Sequence, residues 1–209
     1  LIGNILECNK QDCAHPTRHA TTQLTSPDMK RTTLSRIDVH AMPGDPTRGW
    51  LTAGAVRLPC RLGRGGVGSL KREGDGRTPR GSHALLQVFY RADRLPRPRT
   101  GLRLRPLRPD DGWCDAPFHQ LYNRPVRLPF AASHEDMWRA DHVYDCVVDI
   151  GWNRGSLDRP AIRGGAGSAI FMHLTRPEPA PTAGCVALRR SHLLWLLARL
   201  GPRTRLHIC

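Results

Sequence analysis

Ala169-Ile170-Phe171-Met172-His173-Leu174 and, beyond a proline-rich turn, Pro181-Thr182-Ala183-Gly184-Cys185-Val186-Ala187-Leu188 decide how this chain reads. The first is an apolar run of strand length that follows a glycine-rich stretch, which predicts a buried β-strand ending beside a histidine. The second places a cysteine directly after a glycine. A thiol is nucleophilic only as thiolate, and an imidazole within hydrogen-bond reach can take its proton. Gly184 lets the backbone approach a ligand closely, and the amides of Gly184 and Cys185 are candidate donors to a developing oxyanion. His173 and Cys185 are thus a candidate base and nucleophile.

Working outward, further strands are predicted at Trp50 to Leu58, Ala84 to Tyr90 and Tyr144 to Ile150, separated by Gly, Pro, Asn and Asp clusters. One helix is predicted, with Ser191 as its cap, Leu193, Leu196, Leu197 and Leu200 at helical spacing, and Gly201-Pro202 as its stop. A short closing strand follows at Arg205 to Ile208. Pro96 to Pro109 holds too many prolines for a sheet interior and is expected as an exposed loop or edge. The reading is a mainly β domain with one C-terminal helix. At 209 residues the chain is long enough for one sizeable core, and no apolar stretch approaches the ~18 residues of a membrane span.

The formal net charge is +14, from 32 Lys+Arg against 18 Asp+Glu, and residues 29–109 carry 18 basic groups against 5 acidic ones. All but Lys10, Lys30 and Lys71 of the basic residues are arginine. The run Arg91, Arg94, Arg97, Arg99, Arg103, Arg105 and Arg108 admits two readings: a grip on phosphates or an acidic polymer, or the solvated arginines of a GC-rich coding sequence. No aromatic residue lies within the run, which disfavours base stacking, and nucleic acid is not expected as a partner. Seven cysteines, an odd number, argue against a fully paired disulfide scaffold. Cys60, Cys114 and Cys146 are expected as buried thiols, and Trp113, Trp138 and Trp152 as core. His119, His134 and His142 lack ligand-like partners at useful spacing. Residues 1–36 are expected to be a leader, disordered or not native, with Met29 as the natural start and no apolar export segment in 1–28. Cys8, Cys13, His15 and His19 in it are too irregularly spaced for a usual zinc loop. No metal or cofactor is implied.

Two blocks carry a family resemblance. His173, followed by a loop and then Thr182, Gly184 and Cys185, resembles the signature of the L,D-transpeptidase catalytic domain, the YkuD family. Independently, Lys71-x-Glu73-Gly74-Asp75-Gly76-x-Thr78-Pro79-x-Gly81 resembles a block that leads into a strand flanking that family's active site. Gly112-Trp113-Cys114-Asp115, Tyr122-Asn123-Arg124, Met137-Trp138-Arg139-x-Asp141 and Tyr144-Asp145 are similar to its compact bacterial branch. The resemblance covers residues 37–208, so a catalytic domain is expected over 37–209.

The resemblance implies a β-sandwich and a thiol acyl transfer on the peptide stems of bacterial peptidoglycan, with Cys185 as nucleophile and His173 as general base. It implies a thioester with a tetrapeptide stem, release of D-alanine, transfer to an amine, and a place in the cell envelope or periplasm. Water as acceptor, giving a carboxypeptidase or endopeptidase, and a non-catalytic module binding an acidic polymer are the alternatives. Lys71, Gly74, Asp75, Thr78, Pro79 and Gly81 are read as structural, since Gly-Asp and Thr-Pro are turn chemistry. The family's second histidine is Ala183 here, and the Arg or Asn often found two residues past the cysteine is Ala187. Arg189 and Arg190, with Thr182, are therefore the candidate substrate-positioning residues.

Overall fold

A computed structural model describes residues 33–154 and 162–209. Of the leader expected over 1–36, only residues 33–36 fall within these bounds; Met29 and the Cys8, Cys13, His15 and His19 cluster lie outside the described residues. The strands are β1 (Arg36–Met42), β2 (Asp45–Ala53), β3 (Val56–Arg61), β4 (Val67–Gly68), β5 (Thr78–Pro79), β6 (Gly81–Ala84), β7 (Gln87–Tyr90) and β8 (Arg103–Pro106). After them come β9 (Asp111–Cys114), β10 (Arg124–Arg127), β11 (His134–Asp136), β12 (Cys146–Asp149), β13 (Phe171–Leu174), β14 (Val186–Leu188), helix α1 (Arg190–Leu197) and β15 (Arg205–Ile208).

Ten strands form one sheet in the order β6-β15-β1-β2-β3-β14-β13-β12-β7-β8, and β10-β9-β11 form a second. Along β1, Ile37 and Val39 are buried while Asp38 and His40 point the other way, the alternation of a sheet with one wet face. Strands β12 and β13 are buried along their whole length, because both of their faces are covered. On the inner face, Val88, Val148 and Met172 join Ile37, Leu51 and the α1 residues Leu193, Leu196 and Leu197 in one core, so the long sheet curls around its helix. On the outer face, Phe89, Val147, Phe171 and Cys185 pack against Trp113 of β9, Met137, Val143 and Tyr144. The architecture is the expected mainly β, sandwich-like one.

Several local predictions shift. The stretch Trp50 to Leu58 is a hairpin and not one strand: Gly54, at φ +62°, turns the chain between β2 and β3. Ala84 to Tyr90 likewise divides between β6, at one end of the sheet, and β7, near the other. Ser191 does not cap α1. Arg189 occupies that position without a side-chain cap, and the helix closes at Ala198, two residues before Leu200. Pro96 to Pro109 delivers the edge strand β8.

Trp113 ties the two layers together. It meets Phe171 edge-on at 4.9 Å and Phe89 at 6.3 Å, and its indole N–H donates to Asn123 Oδ1 at 3.0 Å. Trp113→Ala should lower the unfolding free energy by about 3–5 kcal/mol, read from the urea midpoint, since it leaves a large void between the layers.

Candidate active site

The site begins with a register. Strands β13 and β14 are parallel, with Met172 opposite Val186 and His173 opposite Ala187. Side chains alternate along a strand, so Phe171 and His173 share a face with Cys185 and Ala187. His173 and Cys185 thereby become diagonal neighbours on one wall.

Parallel neighbours need a crossover, here residues 175–185, and its return is fixed by specific bonds. Thr182 Oγ1 donates to the Cys185 carbonyl (2.7 Å) and accepts the Gly184 N–H (3.1 Å). The Thr182 backbone pairs with Leu62 and Arg64. Gly184 has φ +138°, and a Cβ on it would lie 2.7 Å from the Arg77 carbonyl oxygen. Arg77 belongs to the 71–81 block, so the two sequence blocks meet in space. That block is held by Asp75, whose carboxylate accepts from Lys71 Nζ (2.6 Å) and the N–H groups of Arg72 and Arg77. Burial works to raise the Asp75 carboxyl, but these hydrogen bonds outweigh it and hold it below the usual range. Thr78 Oγ1 accepts the Gly63 N–H, and the Pro79 carbonyl meets the His83 ring.

Cys185 is buried. Its S–H donates to the Ala169 carbonyl and its sulfur accepts the Phe171 N–H, both at 3.3 Å. Burial pushes the thiol up to about 12, the Glu135 charge adds to this, and the Phe171 N–H and Lys71 oppose it. His173 Nδ1 lies 2.9 Å from the Leu174 carbonyl, which can only accept; the proton is therefore assigned to Nδ1, leaving Nε2 as the basic nitrogen. Burial pushes the imidazole down to about 4. At neutral pH both groups are uncharged.

Both line a cleft of about 670 Å³. Thr182, Ala183, Lys71 and Gly74 also reach it, whereas Arg189 and Arg190 do not. Arg190 donates to the Arg94 carbonyl (3.0 Å), and Arg189 faces a separate groove with Arg48 and Trp50. Of the two expected oxyanion amides, that of Gly184 is already taken by Thr182. The cleft instead presents groups to which no site role attaches in the sequence: Glu73, Glu135, Arg139, Tyr144 and Arg176. Tyr144 sets its ring edge against His173 (5.4 Å) and donates its hydroxyl to Glu135 Oε1 (2.9 Å). Arg139 grips Asp141 through two nitrogens and lies over the Tyr144 ring, and Arg176 reaches the same Asp141. Among the described residues, the mixed cluster suited to a metal is Asp38, His40 and Cys209, none of which lines the cleft.

A family model of the L,D-transpeptidase catalytic domain, YkuD, matches residues 40–208. The chain belongs to this family. No curated protein matches it significantly. Within this L,D-transpeptidase domain the match spans both blocks, the cleft and all strands from β2 to β15.

The depressed basicity of His173 has a thermodynamic signature. Between pH 6.5 and 4 the unfolded chain protonates this residue and the folded chain does not, so stability falls on acidification through that window. Relative to His173→Gln, the wild-type chain should lose on the order of 3 kcal/mol between pH 7 and 4 in urea titrations. Parallel curves for the two proteins would place His173 in a solvated, unshifted state.

Proposed function

We propose that this L,D-transpeptidase domain, residues 37–209, is a cysteine acyltransferase acting on the peptide stems of bacterial peptidoglycan, with Cys185 as nucleophile and His173 as general base. The observation that carries this reading is the shared cleft wall: a buried thiol diagonal to an imidazole whose Nδ1 is tied to a backbone carbonyl, leaving Nε2 as the basic nitrogen. No residue then needs to be charged at rest. His173 takes the thiol proton as sulfur attacks the carbonyl between the diamino acid's L-centre and the terminal D-alanine. The carbonyl electron pair moves to oxygen, where the Cys185 amide is the candidate donor. Collapse breaks the C–N bond, His173 returns the proton to the departing D-alanine amine, and a thioester remains. An amine acceptor completes transfer; water in its place gives a carboxypeptidase or endopeptidase.

The placement of both groups on one cleft wall supports this reading over a non-catalytic polymer-binding module, since binding an acidic polymer needs only exposed cations. The family is cell-wall associated, so action in the envelope follows from the same reading, and among the described residues no helix is long and apolar enough to cross a membrane.

Intact-protein mass spectrometry with purified tetrapeptide stems tests it. The wild-type chain should gain the acyl mass and release D-alanine. Cys185→Ala should do neither, and His173→Ala should slow acylation by about 10²–10⁴-fold. A wild-type chain that takes no acyl group from stems or from a carbapenem removes the enzyme reading, and D-alanine release with only hydrolysed product selects water as acceptor.

A further inference from the structure

Resting on the acyl transfer above, we propose that Glu135 is the group that selects an amine over water as acceptor: it docks the acceptor's ammonium on Oε2 and takes its first proton, while Tyr144 holds Oε1. The placement is specific. Glu135 sits on β11, whose register against β9 sets Glu135 opposite Trp113. Its carboxylate lines the same cleft as Cys185 and His173. The Tyr144 hydroxyl fixes one oxygen at 2.9 Å, and the same Tyr144 ring abuts His173, so a single side chain sets the spacing between the acceptor's dock and the base. Arg139 Nη1 stands 3.9 Å from the same oxygen, Oε1. The charged groups sharing the cleft with Glu135 are Lys71, Glu73, Asp115, Arg139 and Arg176, and His134 and His173 also line it. Lys71 is committed to Asp75, and Glu73 already accepts the hydroxyls of Tyr122 (2.5 Å) and Ser168 (2.7 Å). Both hydroxyls reach the same Glu73 oxygen, Oε2, and Asp115 Oδ1 is buried without a hydrogen-bond partner, but of the three cleft carboxylates it is Glu135 that is tied to the Tyr144 abutting His173.

The chemistry requires such a group. An ammonium has no lone pair, so it must lose a proton before it can attack the thioester. Burial raises the Glu135 carboxyl above its ordinary range, which suits it to accept that proton. The amine nitrogen then bonds to the thioester carbon. His173 takes the second proton from the attacking nitrogen, the C–S bond breaks, and His173 returns the proton to the sulfur. The protonated Glu135 releases its proton to solvent. Water carries no cation, gains nothing from the dock, and is discriminated against.

The test separates the two half-reactions. Acyl-enzyme formed from tetrapeptide stem is offered a second stem or hydroxylamine, an amine already neutral at pH 7, and crosslinked, hydroxamate and hydrolysed products are counted. Glu135→Gln should still form the thioester and pass it to hydroxylamine at the wild-type rate, while its ratio of crosslinked to hydrolysed product falls about tenfold or more. Glu135→Asp should recover part of that ratio. An unchanged ratio in Glu135→Gln, or an equal loss with hydroxylamine, overturns the proposal. If the Gln variant fails to acylate, the wild-type chain decides: salt should slow transfer to the stem ammonium and leave hydroxylamine unaffected, and equal salt dependence overturns it. A wild-type chain that forms no thioester overturns the acyl transfer reading itself, a result distinct from all of these.

Discussion

The parallel pairing of β13 with β14 is the constraint around which the site is built. Two parallel neighbours cannot be joined by a tight hairpin, so the chain must leave the sheet after His173, travel as a crossover and re-enter at the end where β13 began. The re-entry leaves no room at residue 184, where a Cβ would sit 2.7 Å from the Arg77 carbonyl. The N–H of the same Arg77 is in turn held by Asp75, and the next residue, Thr78, accepts the Gly63 N–H. The 71–81 block therefore works as a floor for the crossover. Its carboxylate holds Lys71 and the Arg72 and Arg77 amides, and its threonine holds the Gly63 amide.

The same pairing explains why thiol and imidazole are both neutral. Strand β13 is covered by the helix core on one side and by the Trp113 layer on the other, so anything on its outer face is deprived of water. Desolvation opposes either charge, raising the thiol and lowering the imidazole. The Leu174 carbonyl behind His173 orients the ring, and its support for the imidazolium is outweighed by desolvation.

How much of this was legible follows from where the information lies. The run 144–150, the run 169–174 and the α1 leucines announce themselves because their periodicity is local. The hairpin at Gly54 does not, since Ala53-Gly54-Ala55 lacks the Asn or Asp that usually marks such a turn. His173 and Cys185 are readable because strand end, turn and Gly-Cys are adjacent in sequence. Glu135 and Tyr144 are not: their meeting depends on how β11 pairs with β9 and on the approach to β12, both long-range matters of register. Arg189 and Arg190 mislead by proximity. They follow the cysteine in sequence, but the chain turns from strand into helix there and carries Arg190 away to the Arg94 carbonyl.

The surplus of positive charge has a structural place of its own. Of the seven arginines between residues 91 and 108, Arg91 pairs with Asp93, Arg94 with Asp145 and Arg105 with Asp111. Of those left exposed, Arg103 and Arg108 lie on or beside β8, a strand at one end of the ten-stranded sheet, and Arg97 and Arg99 line a groove with Leu194 and Trp195 of α1. An edge strand offers unpaired backbone groups to any other strand, and charge and proline are the usual means of refusing that pairing. Pro106 lies within the same edge strand. The cleft, by contrast, is near balance, with Lys71, Arg139 and Arg176 facing Glu73, Asp115 and Glu135. Charge at the edge discourages pairing with another strand, whereas the cleft presents both signs.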